Sequence, residues 1–386
     1  MYRERIRSAD KSLEIGRFRG VAGPAVEVKL GAPAKIMKDQ PIIDIVIPNR
    51  NKARFLPATL DSLNAQTERR WRAIVIDGES TDGSWEILTA AAEKDDRMIL
   101  RAARPPSTTG LSFYRAWNQG LLHVRAPYFA ILTSDDLWEP EWLARAIGAL
   151  EGNAKAIAAA ARATLIDTDG KILGPTPACR HLESSFALEG AGLRLLDSGA
   201  CCLRSLTLGP IFSTIHSMVF RRKVLDEGGL FSEDVGIAAD IEYYLHTCLL
   251  GDIIYDLDSH ALFRIYPEQA SSAVRGAMVS HQWMKIVRRN QPLIAKRLGI
   301  PITEISAATN EILARHCFVM TKPDRATYHR SKIVAGWRML QAGLPSPRLF
   351  FDYLKCRSNF DRFLTQASTQ LTQQLTAKYA IGLKTV

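Results

Sequence analysis

The sequence predicts an α/β fold with a mostly parallel central sheet flanked by helices. Two observations carry this: short β-rich apolar runs alternate with segments of helical spacing, and three of the runs end in residues suited to a ligand site. The runs are 42–48 (IIDIVIP), 72–77 (RAIVID) and 128–133 (YFAILT), the last followed after Ser134 by Asp135 and Asp136. In open sheets of this kind ligands bind beyond the carboxyl ends of the strands, so Pro48, Asp77 and the Asp135/Asp136 pair fall at one candidate site.

Residues 1–40 alternate charge and glycine without a period and predict a flexible or loosely docked extension. Leu56, Leu60 and Leu63 then stand at helical spacing, SWEILTAAAEK (84–94) predicts a second helix, RMILRA (97–102) a strand, and 113–123 a third helix leading into the strand that ends at Thr133. Residues 174–209 predict a long irregular stretch before a second block, 210–272. From Val274 the pattern turns helical, through Trp283, Ile286, Val287, Leu293, Ile294, Leu298, Ile305, Ile312 and Leu313 to Trp337, Met339 and Leu340. Three parts are expected: the extension 1–40, a main domain 41–272, and a basic helical C-terminal region, 273–386, appended to it.

Hydrophobic residues make up 47% of the 386, ordinary for a globular chain able to bury a sizeable core. No apolar run is long enough to cross a bilayer and the first forty residues contain no signal-peptide core, which predicts a cytoplasmic protein. The six cysteines form no C-x-x-C pair and no zinc spacing, so neither a disulfide framework nor a structural zinc is indicated. Net charge is uneven: +4 over 1–40, −7 over 41–269, and +13 over 270–386, where 18 basic side chains face 5 acidic ones. Such a field attracts phosphates, of nucleic acid or of lipid headgroups, unless it is only a solvated helical face. The tail's aromatic residues lie at helical core spacing and match no RNA-binding motif, so no nucleic acid is expected. Peripheral contact with an anionic membrane is the expectation that remains, with Lys285, Arg288, Arg289, Lys296 and Arg297 as a candidate face.

Adjacent carboxylates at a strand end are hard oxygen donors that suit a divalent cation and, through it, a nucleotide's phosphates. The competing account of Asp135 and Asp136 is a turn that caps the helix starting near Pro140. Asp77 has a similar alternative, an Asx-turn, and so does Asp240, which stands just before an apolar helix and could be a plain N-cap.

Four blocks, IVIPNRN, VIDGESTDGS, YRAWNQGLLHVRAPYFAILTSDDLWEP and HSMVFRRKVLDEGGLFSEDVGIAADIEYYLHTCLLG, stand in an order and spacing that resembles the family 2 inverting glycosyltransferases of GT-A fold, over roughly 41–272. The resemblance implies a nucleotide-diphosphate sugar donor, with UDP the commonest nucleotide, and a glycan, a lipid-linked or a small acceptor. It implies Pro48, Asn51, Asp77, Asn118, Asp135 and Arg264 as contacts to the nucleotide sugar, Asp136 and Asp135 as ligands of Mn²⁺ or Mg²⁺, and Asp240 as the base that takes the acceptor's proton, with Glu242 as second choice. The chain departs from the family's usual pattern at Gly78, Thr133 and Ala239, where acids are common, and at Tyr266, where a metal-binding His is. Gly120 is equally explained by close helix packing, and His216, on an apolar segment, stays outside the catalytic set. Neither the Q-x-x-R-W signature of processive synthases nor their membrane helices are present in the sequence, which points to addition of a single sugar. Two alternatives stand beside this expectation. One is a sugar-nucleotide nucleotidyltransferase, disfavoured because the loop PNRNKARF lacks glycine; the other is a non-catalytic basic binding module.

Overall fold

The computed structural model describes residues 26–28, 40–102, 113–208, 211–212, 214–269, 276–319, 360–379 and 381. The first half alternates strand and helix as expected: β1 (Val26–Val28), β2 (Ile43–Asn49), α1 (Leu56–Asn64), β3 (Trp71–Asp77), α2 (Ser84–Lys94), β4 (Met98–Ala102), α3 (Phe113–Leu121), β5 (Tyr128–Ile131), β6 (Leu137–Trp138) and α4 (Trp142–Gly152). The second half contains β7 (Ala156–Ile166), β8 (Ile172–Pro175), α5 (Pro177–Ser185), β9 (Leu193–Leu196), α6 (Ser198–Leu208), β10 (Met218–Arg221), α7 (Arg222–Gly228), α8 (Ala239–Leu250) and β11 (Asp252–Arg264). Helices α9 (Gly276–Leu298), α10 (Ile302–Val319) and α11 (Phe360–Tyr379) follow. The boundary at Ser272 and the helical pattern around Trp337, Met339 and Leu340 lie outside the described residues.

One sheet runs through the molecule in the order β1-β9-β11-β7-β10-β5-β2-β3-β4. Strands β5, β2, β3 and β4 are mutually parallel, so their carboxyl ends share one edge. Antiparallel β10 joins this block to the parallel pair β7 and β11, so the sheet as a whole is mixed. Alternation along β2 and β3 feeds two cores. Ile43, Ile45, Ile47, Ala73 and Val75 pack with α1 and α4 on one face. Val46, Ile74 and Ile76 pack with α3, α6 and α8 on the other. There α3 comes so close that a Cβ on Gly120 would lie 2.3 Å from Val46 Cγ1.

The stretch 174–209 is not irregular: it holds part of β8, all of α5 and β9, and α6. The Thr176 hydroxyl accepts the Cys179 amide at 3.1 Å and Pro177 occupies the first turn, an N-terminal signature that the many glycines obscure in the sequence. Nor is the extension undocked throughout, since Val26–Val28 pairs antiparallel with Leu193–Leu195 at the sheet edge. The appended C-terminal helices share the sheet's core through Trp283, Ile286, Val287, Ile294, Ile305 and Leu375.

Three of the five residues of the expected basic face make contacts within the protein. Lys285 and Arg289 pair with Asp234, at 3.0 and 2.8 Å, Arg289 also pairs with Glu242, and Arg297 donates to the Ser198 hydroxyl. Long basic side chains on a helix serve its docking as readily as a solvent face. Among the described residues no helix is long and apolar enough to cross a membrane.

Candidate active site

The carboxyl edge of the parallel block carries Asp77 and, one turn beyond β5, Asp135 and Asp136. Asp136 is 1% exposed and Asp135 7%. A carboxylate so buried needs donors, and Asp136 has them. The Arg264 amide donates to Oδ1 at 2.8 Å, the Thr133 hydroxyl donates to Oδ2, and His216 Nδ1 lies 3.2 Å from Oδ2. Burial, with the neighbouring Asp135 charge, holds its pKa well above the ordinary carboxylate range. Asp135 faces outward by comparison. Its Oδ2 accepts the Tyr266 hydroxyl at 2.5 Å and pairs with the Lys52 ammonium at 3.0 Å, and Lys52 also bonds Tyr266. Burial, then the Asp135 charge, pushes the Tyr266 phenol up, keeping it a donor.

This geometry revises two expected roles. Asp136, fully bonded to its own protein, supports the turn, and Asp135 is the carboxylate better placed to face a ligand. The Arg264 guanidinium is engaged by backbone: its Nε donates to the Asp135 carbonyl at 2.9 Å and its Nη1 to the carbonyls of Asp167 and Thr168 at 2.8 and 3.0 Å. Backbone carbonyls left by the turn captured the guanidinium, a role spacing alone does not reveal. His216, 1% exposed, stacks on Phe263, and burial lowers its pKa to about 3, so the ring is neutral. Its Nε2 is buried and has no partner among the described residues.

At the end of β3 the Asp77 carboxylate organises its own loop. It accepts the Ser80 amide at 2.9 Å, the Ser80 hydroxyl at 2.7 Å and Asn49 Nδ2 at 2.7 Å. Beside it Asn49 Oδ1 is buried with no partner among the described residues. Pro48 is buried in β2, opposite Ile76. Asn51, at φ 52°, ties the two loops together, its Oδ1 accepting the Thr81 amide at 2.8 Å and its own amide donating to Ser80 Oγ at 2.9 Å. Asn118 is the clearest departure. Its amide both donates to and accepts from the Phe231 backbone, at 2.9 Å each way, so it fastens α3 to the chain before α8 and has little left for a donor.

Asp240 stands in the first turn of α8, half-buried. Its Oδ1 accepts the Ile241 amide at 2.8 Å, and its own amide lies 3.3 Å from the Tyr114 hydroxyl, which donates to the Ile237 carbonyl at 2.7 Å. Tyr114 begins α3, the helix that packs on β2, so the start of α8 is tied to the start of α3. Burial lifts its carboxyl to about 6, against the Ile241 amide and Tyr114, which lower it. That value suits a group that must accept a proton near neutrality. Glu242 is unsuited to the task. It is 2% exposed and bound by Arg289 and by Asn290 Nδ2 at 2.8 Å.

The edge fits a divalent cation of a particular kind. Among the described residues no three His, Cys, Asp or Glu side chains gather as a ligand set. One outward carboxylate, Asp135, suits an ion that takes most of its oxygens from phosphates and water, as Mg²⁺ and Mn²⁺ do. Lys52, Tyr266 and Asn49 were missed in the sequence. Asn49 ends β2 and Lys52 lies in the loop that follows it, and Tyr266 stands where a His was expected.

Comparison with known proteins agrees with this architecture. Residues 44–229 match the family described as glycosyl transferase family 2. An uncharacterized glycosyltransferase of Haemophilus influenzae is 23% identical over 274 residues, 71% of this chain and 80% of that protein. Other curated glycosyltransferases align over 104–107 residues at 28–34% identity, and the chain spans only 31–40% of their length. Among solved structures, S. aureus TarS 1-349 in complex with UDP-GlcNAc superposes with a TM-score of 0.56 at 15% identity, over 88% of each chain. Mannosyltransferase PcManGT from Pyrobaculum calidifontis, in complex with GDP-Man and Mn²⁺, gives 0.51 at 17% identity over 90% of each. At such identities the structures speak for the fold alone, and the conclusion is that the segment 44–229 is similar to glycosyl transferase family 2 within a chain of GT-A fold.

Proposed function

We propose that this glycosyltransferase moves one sugar, with inversion, from a nucleotide-diphosphate donor, a UDP-sugar before others, to a hydroxyl of a glycan, lipid-linked or small acceptor. The reading rests on the Asp77 loop and Asp135 at the ends of one block of parallel strands, with the raised Asp240 carboxyl, at the start of a helix tied to α3, taken to act beside them. Asp77, Asn49 and Asn51 shape the nucleotide's loop, and Pro48 brings β2 to it. Asp135 is the first ligand for Mn²⁺ or Mg²⁺, with Asp136 behind it. Such an ion, when bound, stabilises the negative charge that develops on the leaving diphosphate. Lys52, beside Asp135, supplies a second positive charge to the same oxygens.

In the transfer itself the acceptor oxygen attacks the anomeric carbon while its proton passes to Asp240. The bond from that carbon to the phosphate oxygen breaks, and its electron pair leaves with the nucleoside diphosphate. The back-side approach inverts the anomeric centre. A cytoplasmic site of action is part of the proposal, with contact to an anionic membrane resting on basic side chains that remain outward, such as exposed Lys296. Liposome sedimentation tests that contact.

The main test needs no acceptor. Incubated with UDP-, GDP- and dTDP-sugars, the purified protein should slowly release one nucleoside diphosphate, only with Mn²⁺ or Mg²⁺, and the freed sugar should first appear by NMR as the inverted anomer. Release undiminished by EDTA overturns the metal's role, and a retained anomer overturns the single-displacement step.

A further inference from the structure

The chain between α7 and α8 delivers Asp240, and it is gripped from two sides. On the α3 side are the Asn118 clamp on Phe231, the Tyr114 bond to the Ile237 carbonyl, and an Arg115–Glu233 pair at 3.2 Å. On the other side is α9, from the C-terminal region. Lys285 Nζ donates to the Asp234 carbonyl at 2.8 Å, and Arg289 Nη1 bonds both Asp234 carboxylate oxygens at 2.8 and 3.0 Å. Arg289 Nη2 reaches Ser232 Oγ at 2.7 Å, while its Nε and Nη2 also take the two oxygens of buried Glu242. Asn290, on the same helix, bonds Glu242 and lies 2.9 Å from His246 Nε2.

A single guanidinium thus ties the approach (Ser232, Asp234) to the helix (Glu242) on either side of Asp240. The bend between them passes through Gly236, at φ +62°, where a Cβ would lie 2.1 Å from the Gln282 side chain of α9. Few side chains could hold both arms: a planar fork with five donors can, and an ammonium cannot. Catalysis by a base is sensitive to such placement, since a displacement of about 1 Å can cost roughly 10²-fold in rate.

We propose that Arg289 is a positioning residue for the transfer step, fixing the angle between the 232–238 approach and α8 and thereby the direction of the Asp240 carboxylate. Helix α9 is then part of the working site. This rests on Asp240 as the base, and the experiment separates the two ideas.

In the full-length protein, Arg289→Lys keeps the charge and loses the fork, and Asp234→Asn cuts only the approach arm, at a side chain 58% exposed, without stranding a buried carboxylate. Two readouts apply. Deuterium uptake across 231–241 should quicken several-fold in both variants while β2, β3 and β5 are unchanged. Metal-dependent UDP release from UDP-GlcNAc, or GDP release from GDP-mannose, whichever the wild type hydrolyses, should fall about 10-fold or more in kcat for Arg289→Lys at unchanged KM. In an Asp240→Asn background either substitution should add nothing, because the group it positions is gone.

Multiplying losses in the double variants overturn the positioning role and leave Asp240 as base. Wild-type turnover in Asp240→Asn overturns both ideas. Should Arg289→Lys fail to fold, Asp234→Asn decides alone: unchanged uptake across 231–241 sinks the proposal.

Discussion

Asp135 and Asp240 are the two carboxylates proposed to serve one site, and they are held by different physics. Asp135 follows a strand buried in the centre of the sheet, and the next two donors on it, Lys52 and Tyr266, come from segments that the same strands align. Asp240 begins a helix and owes its place to side chains from α3 and α9 that lie 126 and 49 residues away in sequence. Backbone ladders position the first; a charged network positions the second. A ladder is insensitive to any one side chain, whereas a network can be undone by one substitution. The strand-end region should therefore respond to mutation in ligand affinity, and the helix-start region in turnover.

The largest effect is expected at Asp135. Asp135→Asn should lose on the order of 10³-fold in metal-dependent kcat/KM, about 4 kcal/mol of transition-state stabilisation, and weaken Mn²⁺-dependent UDP binding measured by calorimetry. Asp136→Asn should cost less affinity and more stability, since that side chain is bonded within the protein. The reverse ranking would make Asp136 the ligand.

Asp240→Asn should lose roughly 10²-fold in turnover and bind UDP normally. In the wild type kcat should fall about tenfold per pH unit below about 6, where the carboxyl protonates. Stability carries the opposite signature. With its pKa raised from 3.8 to about 6 in the folded protein, Asp240 contributes stability that is complete below about pH 4 and is lost as pH rises through about 6. The Asn variant does not titrate. It should match the wild type at pH 4 and exceed it at pH 8 by on the order of 1–2 kcal/mol, discounted for the partial exposure of the group. Thermal unfolding at the two pH values checks this, and equal differences at both would deny the burial of the charge.

Lys52→Met probes the strand-end region more gently. Loss of one charge-assisted contact to the diphosphate should raise the donor KM roughly 10-fold with kcat little changed. Mn²⁺ affinity should hold or improve, because a competing cation leaves Asp135. Weaker Mn²⁺ binding in this variant would mean that Lys52 orients the carboxylate instead.

The same contrast explains what the sequence disclosed. The β2–β5 block was legible because alternation and strand-end acids are local signals, and Asp77 and Asp135 were named from it, while Asp240 was named from the family's pattern before the apolar helix α8. Asn118 and Arg264 were named by position, yet their polar atoms are taken by the Phe231 backbone and by the Asp135, Asp167 and Thr168 carbonyls. Which carbonyl lacks a partner depends on the folded chain, and a motif does not encode it. The tail's charge was likewise visible while its use was not: Arg289 meets Glu242 across 47 residues, and only the docking of α9 makes that a pair. The helices within 174–209 were hidden by glycines whose turns, at Gly190 and Gly192 with φ of 77° and 89°, separate elements and do not dissolve them.

The smallest expected effects belong to two glycines, one in each region. Gly120 packs α3 onto β2, and a methyl there would meet Val46, a stiff β-branched side chain inside the core. Gly120→Ala should cost about 1–3 kcal/mol of stability by overpacking, seen as a lower midpoint in urea at unchanged slope, with kcat per folded molecule near wild type. Gly236 takes a left-handed φ that a side chain adopts only with strain, about 1–2 kcal/mol, but its nearest neighbour is the end of the flexible Gln282. Gly236→Ala should therefore unfold at a similar or slightly higher denaturant concentration than Gly120→Ala and yet turn over more slowly, because the strain relaxes through the chain that carries Asp240. If Gly120→Ala lowers turnover as much as Gly236→Ala at equal stability, the packing of α3 on β2 governs the Asp240 carboxylate as strongly as the charged network does, and the difference drawn between ladder and network disappears.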